Sequence, residues 1–117
     1  MPRLLELSSF KDARGSLTVI EKILPFQIRR VYYIYDTNTH PRAGHKHREG
    51  QQALICLHSQ CRVHVRKENS HQDFLLSSPH QGLILDPEDW HTVHFEPHCI
   101  LLVLASTYYS ADNYLYD

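Results

Sequence analysis

Residues 41–61 read Pro41-Arg42-Ala43-Gly44-His45-Lys46-His47-Arg48-Glu49-Gly50-Gln51-Gln52-Ala53-Leu54-Ile55-Cys56-Leu57-His58-Ser59-Gln60-Cys61, and the fold turns on them. In a strand, side chains two apart share a face. An extended His45-Lys46-His47 therefore sends both imidazoles one way and Lys46 the other, with the histidines roughly 7 Å apart, two strand rises. Imidazole moves protons near neutral pH and also ligates metals. Gln52 then opens an apolar run through Leu57 that reads as a buried strand. A polar amide entering an apolar wall beside two histidines suggests the interior of a β-barrel.

The remaining chain supports an all-β reading. Short β-like runs alternate with turn residues, as in a sandwich or barrel. Strands are expected at Leu4–Leu7, Ser16–Glu21, Gln27–Tyr35, Gln52–Leu57, Cys61–Arg66, Gln72–Leu76, Gly82–Leu85, Trp90–Phe95 and Ile100–Ala105, with Lys11 to Gly15 as a turn. In the third of these, Ile28, Arg30, Tyr32 and Ile34 share one face. In Trp90–Phe95 the shared face is His91, Val93 and Phe95. Ile100–Ala105 is apolar throughout, which suggests a strand buried on both sides. The tyrosine-rich tail from Ser106 is expected to pack across the barrel mouth or on a partner subunit. No long amphipathic helix is visible.

Length and composition narrow the function. A chain of 117 residues fits one domain with a real core. The formal net charge of −1 provides no basic excess for nucleic acid or an anionic membrane. Three cysteines, with no Cys-x-x-Cys, argue for free thiols in a reducing compartment and against a zinc knuckle. Cys56, Cys61 and Cys99 read as small core residues. The start, Met1 to Leu7, has too short an apolar run for a signal peptide and carries Glu6. No apolar run approaches transmembrane length. The expectation is a cytoplasmic protein.

Two halves, Arg42–Val63 with His-x-His and Gly82–Leu104 with Pro87-x-x-Trp90-His91, resemble the two motifs of the cupin family, which are jelly-roll barrels. The likeness extends over an ordered set: Asp12-x-Arg14-Gly15-x-Leu17, Pro25-Phe26-x-Ile28-x-Arg30-Val31-Tyr32-Tyr33-Ile34, Pro41-Arg42-x-x-His45-x-His47, Gln52-x-Leu54-x-Cys56-Leu57, Cys61-Arg62-Val63, Trp90-His91, Val103-Leu104-Ala105-Ser106 and Tyr108-Tyr109. This set is similar to the WxcM-like sugar nucleotide 3,4-ketoisomerases, which act on dTDP-4-keto-6-deoxyglucose. Among its departures from the family, Ala43-Gly44 stands where relatives have Gly-Phe, and His58-Ser59-Gln60 replaces a turn glycine expected after Leu57.

The resemblance implies a single cupin domain over residues 1–117 and no cofactor or metal. It implies His47 as the base at C3, and His45 as the group that polarises an oxygen or returns the proton, with the pair interchangeable. Tyr32 would donate to a sugar oxygen. Arg14, Arg30 and Arg42 are candidates for the diphosphate, since guanidinium suits bidentate phosphate contacts. Gln52 would orient a histidine or bind a hydroxyl. Trp90 would stack on the base or line the pocket, and His91 sits where cupins often place a metal-binding histidine. The partners implied are a dTDP-linked 4-keto-6-deoxy sugar and a second copy in a homodimer with exchanged N-terminal strands. Two alternatives stay open: a metal-dependent cupin using His45, His47, Gln52 and His91, and a non-catalytic sugar-nucleotide binder.

Overall fold

The apolar run after Gln52 forms the central wall of a two-sheet barrel in the computed structural model, which describes residues 1–116. The strands are β1 (Arg3–Glu6), β2 (Ser8–Asp12), β3 (Gly15–Val19), β4 (Arg30–Ile34), β5 (Arg42–His47), β6 (Gln52–His58), β7 (Cys61–Lys67), β8 (Ser70–Leu76), β9 (Gln81–Leu85), β10 (Trp90–Phe95), β11 (Ile100–Ala105) and β12 (Tyr114–Leu115). One sheet runs β1-β9-β6-β11-β4 and the other β12-β5-β10-β7-β8, while β2 and β3 form a separate hairpin. The described strand pairings are antiparallel. Among the described residues no helix is long and apolar enough to cross a membrane.

The two sheets differ in how they meet water, and the sequence pattern follows. Leu54 and Cys56 of β6 point inward with Val63, Val65, Leu83, Val93, Leu101 and Val103 to fill the space between the sheets. The other face of the first sheet presents Ala53, Ile55, Ile84 and Leu104, and Ile20, Ile23, Leu24 and Phe26 cover it. A strand buried on both faces reads as a continuous apolar run rather than an alternating one. The second sheet is covered on one face only, so β7 alternates: Cys61, Val63 and Val65 are buried, whereas Arg62, His64 and Arg66 face outward.

Two differences from the expected strands have local causes. All five residues of β2 are exposed, so no burial pattern marks it, and the expected turn over 11–15 contracts to Ala13-Arg14. β4 begins at Arg30 instead of Gln27, since Pro25 sets the preceding segment apart from the ladder. The N-terminal strand β1 lies along this chain's own β9, with Leu4 opposite Leu83.

Candidate active site

The site is built where β5 meets β10. The pairing sets His91 opposite His45 and then slips, so that Thr92 faces Ala43 and Gly44 is left over as a bulge. Ala43 and Gly44 both take positive φ, 71° and 79°. A bulge of this kind re-aims the side chains beside it. Beyond it, His45 and His47 share the inward face, as the two-residue period requires. Their rings lean together, edge to face, with centroids 4.9 Å apart, closer than the strand rise alone suggested. The His91 ring stands 5.2 Å from that of His45 and 6.3 Å from that of His47.

A cavity of about 150 Å³ opens beside them, lined by Tyr32, Arg42, His45, Gln52, His91 and the apolar interior of both sheets. His47 lies next to this lining. β12 pairs its Tyr114 with His47, and the Tyr114 ring packs edge-on against His45 at 4.7 Å and His47 at 5.0 Å. The tail thus packs over the histidines, one of the two placements its tyrosines suggested. Arg30, also from β4, reaches the same end, its guanidinium carbon 5.0 Å from the Tyr32 ring and 5.8 Å from that of Tyr109.

Hydrogen bonds fix the polar groups. Gln52 Nε2 donates to the Tyr32 hydroxyl at 3.4 Å. His91 Nδ1 lies 3.0 Å from the Asp89 carbonyl. A carbonyl only accepts, so His91 carries its proton on Nδ1 and turns Nε2 free. The Asp89 carboxylate, 1% exposed, accepts from the Asp86 amide and ties down the turn that holds this carbonyl. Three buried side-chain polar atoms lack a partner among the described residues: His47 Nε2, Arg30 Nε and Asp89 Oδ1. Buried polar groups are nearly always paired. Two of the three exceptions belong to His47 and Arg30, at this end of the barrel.

Burial, followed by the neighbouring imidazole of His91, pushes His45 down to about 4. Burial, then His45, His91 and Arg30, does the same to His47. His91 is also lowered by burial. The three rings are therefore neutral at pH 7, with lone pairs available. Burial raises the Tyr32 phenol, which stays protonated and able to donate.

The arrangement suits proton transfer better than metal binding. Among the described residues, the ring nitrogens of His45, His47 and His91 do not come together within 4.8 Å of one another. Gln52, the fourth ligand of a metal site, is a neutral amide and a poor partner for iron or zinc.

Not all the residues singled out from the sequence gather here. Arg14 sits at the tip of the β2–β3 hairpin, fully in solvent, paired with Asp12 at 2.6 Å. Trp90 departs from the expected pocket position. His91 takes the inward place on β10, so alternation turns Trp90 to the outer face, where Arg66 stacks on it at 4.0 Å. Asp89, Tyr109 and Tyr114 belong to the site yet were not singled out. Asp89 acts through its backbone, and the tyrosines lie in a tail without period. The other clustered histidines, His64 and His71, stack on the outer face with Asp73 against His64.

The family model described as "FdtA: WxcM-like, C-terminal" matches residues 1–117. The chain belongs to this family. It is 42% identical over 117 residues to TDP-4-oxo-6-deoxy-alpha-D-glucose-3,4-oxoisomerase of Aneurinibacillus thermoaerophilus, covering 97% of this chain and 84% of that protein. The crystal structure of a 3,4-ketoisomerase from Helicobacter canadensis superposes with a TM-score of 0.95 at 35% identity, over 99% of this chain and 90% of that one. A histidine-to-asparagine variant of a 3,4-ketoisomerase from Thermoanaerobacterium thermosaccharolyticum, in complex with TDP-4-keto-6-deoxyglucose, gives 0.96 at 32% identity, over 99% and 87%. WxcM-like ketoisomerases thus share the two-sheet β-barrel described above.

Proposed function

We propose that this WxcM-like chain is a sugar nucleotide 3,4-ketoisomerase that takes a TDP-linked 4-keto-6-deoxy sugar and moves its carbonyl from C4 to C3. The C3 hydrogen is acidic because it adjoins the ketone. Removing it gives an enediolate, and a proton returned at C4, with exchange of the hydroxyl protons, completes the reaction. No electrons leave the sugar. The reaction needs a base, an acid and a donor to the developing oxyanion.

His47 is the base, and His45, 4.9 Å away ring to ring, is the partner that polarises the oxygen or returns the proton. Tyr32 donates to a sugar oxygen, and Gln52 holds its hydroxyl in place. His91, fixed by Asp89, aligns His45 from the neighbouring strand. Arg30 and Arg42 take the diphosphate. Arg14 lies away from this chain's own cavity and serves the site only as a partner subunit's residue in a homodimer. That homodimer acts in the cytoplasm. The exposed Phe10 and Leu17 beside Arg14 on the hairpin offer the apolar surface such an assembly would cover.

One observation carries this reading: His47 Nε2 is buried, unpartnered and part of an imidazole held neutral. A buried nitrogen kept free of internal partners costs stability, and a bound sugar would satisfy it. The test separates binding from chemistry. In His47→Asn, nucleotide affinity measured by calorimetry with TDP is expected to persist while turnover is lost. A near-normal turnover rate in that variant would reject His47 as the base.

A further inference from the structure

At the far end of β6 from Gln52, the barrel interior holds three cysteines. Cys56 on β6, Cys61 at the start of β7 and Cys99 just before β11 place their sulfurs within 4.8 Å of one another. Cys56 Sγ and Cys99 Sγ are 3.5 Å apart. Each residue is 1% exposed or less. Two turns close over them: Cys56 Sγ donates to the His58 and Ser59 carbonyls, at 3.3 and 3.6 Å, and Ser59 Oγ donates to the Pro97 carbonyl. The histidine site makes no use of them.

We propose that Cys56, Cys61 and Cys99 form a closed trithiol site for a trivalent, thiophilic ion of the arsenic class, entering as arsenous acid. Geometry supports three-fold coordination. Trivalent arsenic keeps a lone pair and binds three sulfurs as a pyramid, so sulfurs about 2.3 Å from it stand about 3.4 Å apart, close to the 3.5 Å between Cys56 and Cys99, with all three sulfurs already within 4.8 Å of one another. Among the described residues, no histidine or carboxylate joins the three sulfurs within that limit. A structural zinc site takes four ligands, and this cluster offers three.

Charge selects the ion. A divalent ion on three thiolates carries −1 and a monovalent ion −2. Either charge would lie in an apolar interior, where an unpaired charge is costly. Among the described residues no lysine or arginine is buried. A trivalent ion on three thiolates is neutral. The balance is equally simple: three As–O bonds break, three As–S bonds form, and each thiol proton leaves with a hydroxide as water. No electrons transfer and no net proton is released.

The test uses the full chain, reduced, with arsenite alone and zinc in parallel. Native mass spectrometry is expected to show one arsenic per chain. X-ray absorption at the arsenic edge should show three sulfurs in the first shell. Cys61→Ser should weaken arsenite binding by at least about tenfold, since even outer-shell changes cost that much at ion sites. Two sulfurs with an oxygen in wild-type protein, unchanged affinity in Cys61→Ser, or zinc binding as tight as arsenite would each overturn the proposal. The absorption measurement needs no variant, so it stands even if Cys61→Ser misfolds.

Discussion

Among the described residues, His47 and Arg30 hold the two unpartnered buried nitrogens at the tail end of the barrel, and the proposed function gives them different roles. The histidine is kept neutral by burial and by its neighbours, so its lone pair is available without prior deprotonation. The arginine is held between the Tyr32 and Tyr109 rings, which fixes its planar fork before any phosphate arrives. Hydrogen bonds to charged groups are worth about 1.5–3 kcal/mol. Arg30→Ala should therefore weaken TDP binding by roughly 10- to 100-fold, as read by calorimetry. Unchanged affinity would remove Arg30 from the phosphate site. The histidine pair was legible from the two-residue period alone. Asp89 was not, because its contribution passes through a backbone carbonyl that no residue type announces.

At the level of elements, most strands were legible because burial leaves a period, and β2 was missed because every residue in it faces water. Trp90 shows the same rule from the other side: once His91 points inward, its neighbour must point out. The convergence of Cys56, Cys61 and Cys99 could not be read, since it depends on which strand ends the barrel brings together. Turns hold a further lesson. The β7–β8 hairpin joins Lys67 to Ser70 through two residues, and Glu68 has φ of 53°. A positive φ at the first central position is the place for glycine in a two-residue hairpin. Glu68→Gly should stabilise the protein by about 0.5–1 kcal/mol, measured by urea unfolding, since it relieves the left-handed strain of a non-glycine residue. A fall in stability would show that the Glu68 side chain contributes more than its backbone costs. Ser59, with φ of 63°, occupies the turn where relatives are expected to carry glycine, but its hydroxyl holds Pro97, so relief there would be offset.

For the whole molecule, the same burial that prepares the histidines makes the fold sensitive to acid. His45 and His47 titrate near 4 when folded, below the usual 6.5. Between those values the unfolded chain binds protons that the folded chain refuses, so stability falls as pH drops through this window and is fully present above it. Thermal unfolding is expected to shift downward from pH 6.5 to pH 4, with a shallower slope in a His45→Asn, His47→Asn double variant. An identical slope would assign the acid sensitivity to other groups. The sheets, the core and the facing of the histidines all follow from alternation in sequence. The tyrosine tail follows from none of it, because a strand of two residues, β12, is too short to show a period. In the proposed reaction the two imidazoles move the proton between C3 and C4 without a metal ion. Chelator-treated protein incubated with TDP-4-keto-6-deoxyglucose in heavy water, with the sugar followed by NMR, is expected to give a 3-keto product carrying one deuterium on carbon. No 3-keto sugar, or activity lost on chelation and restored by iron, would contradict the proposed reaction.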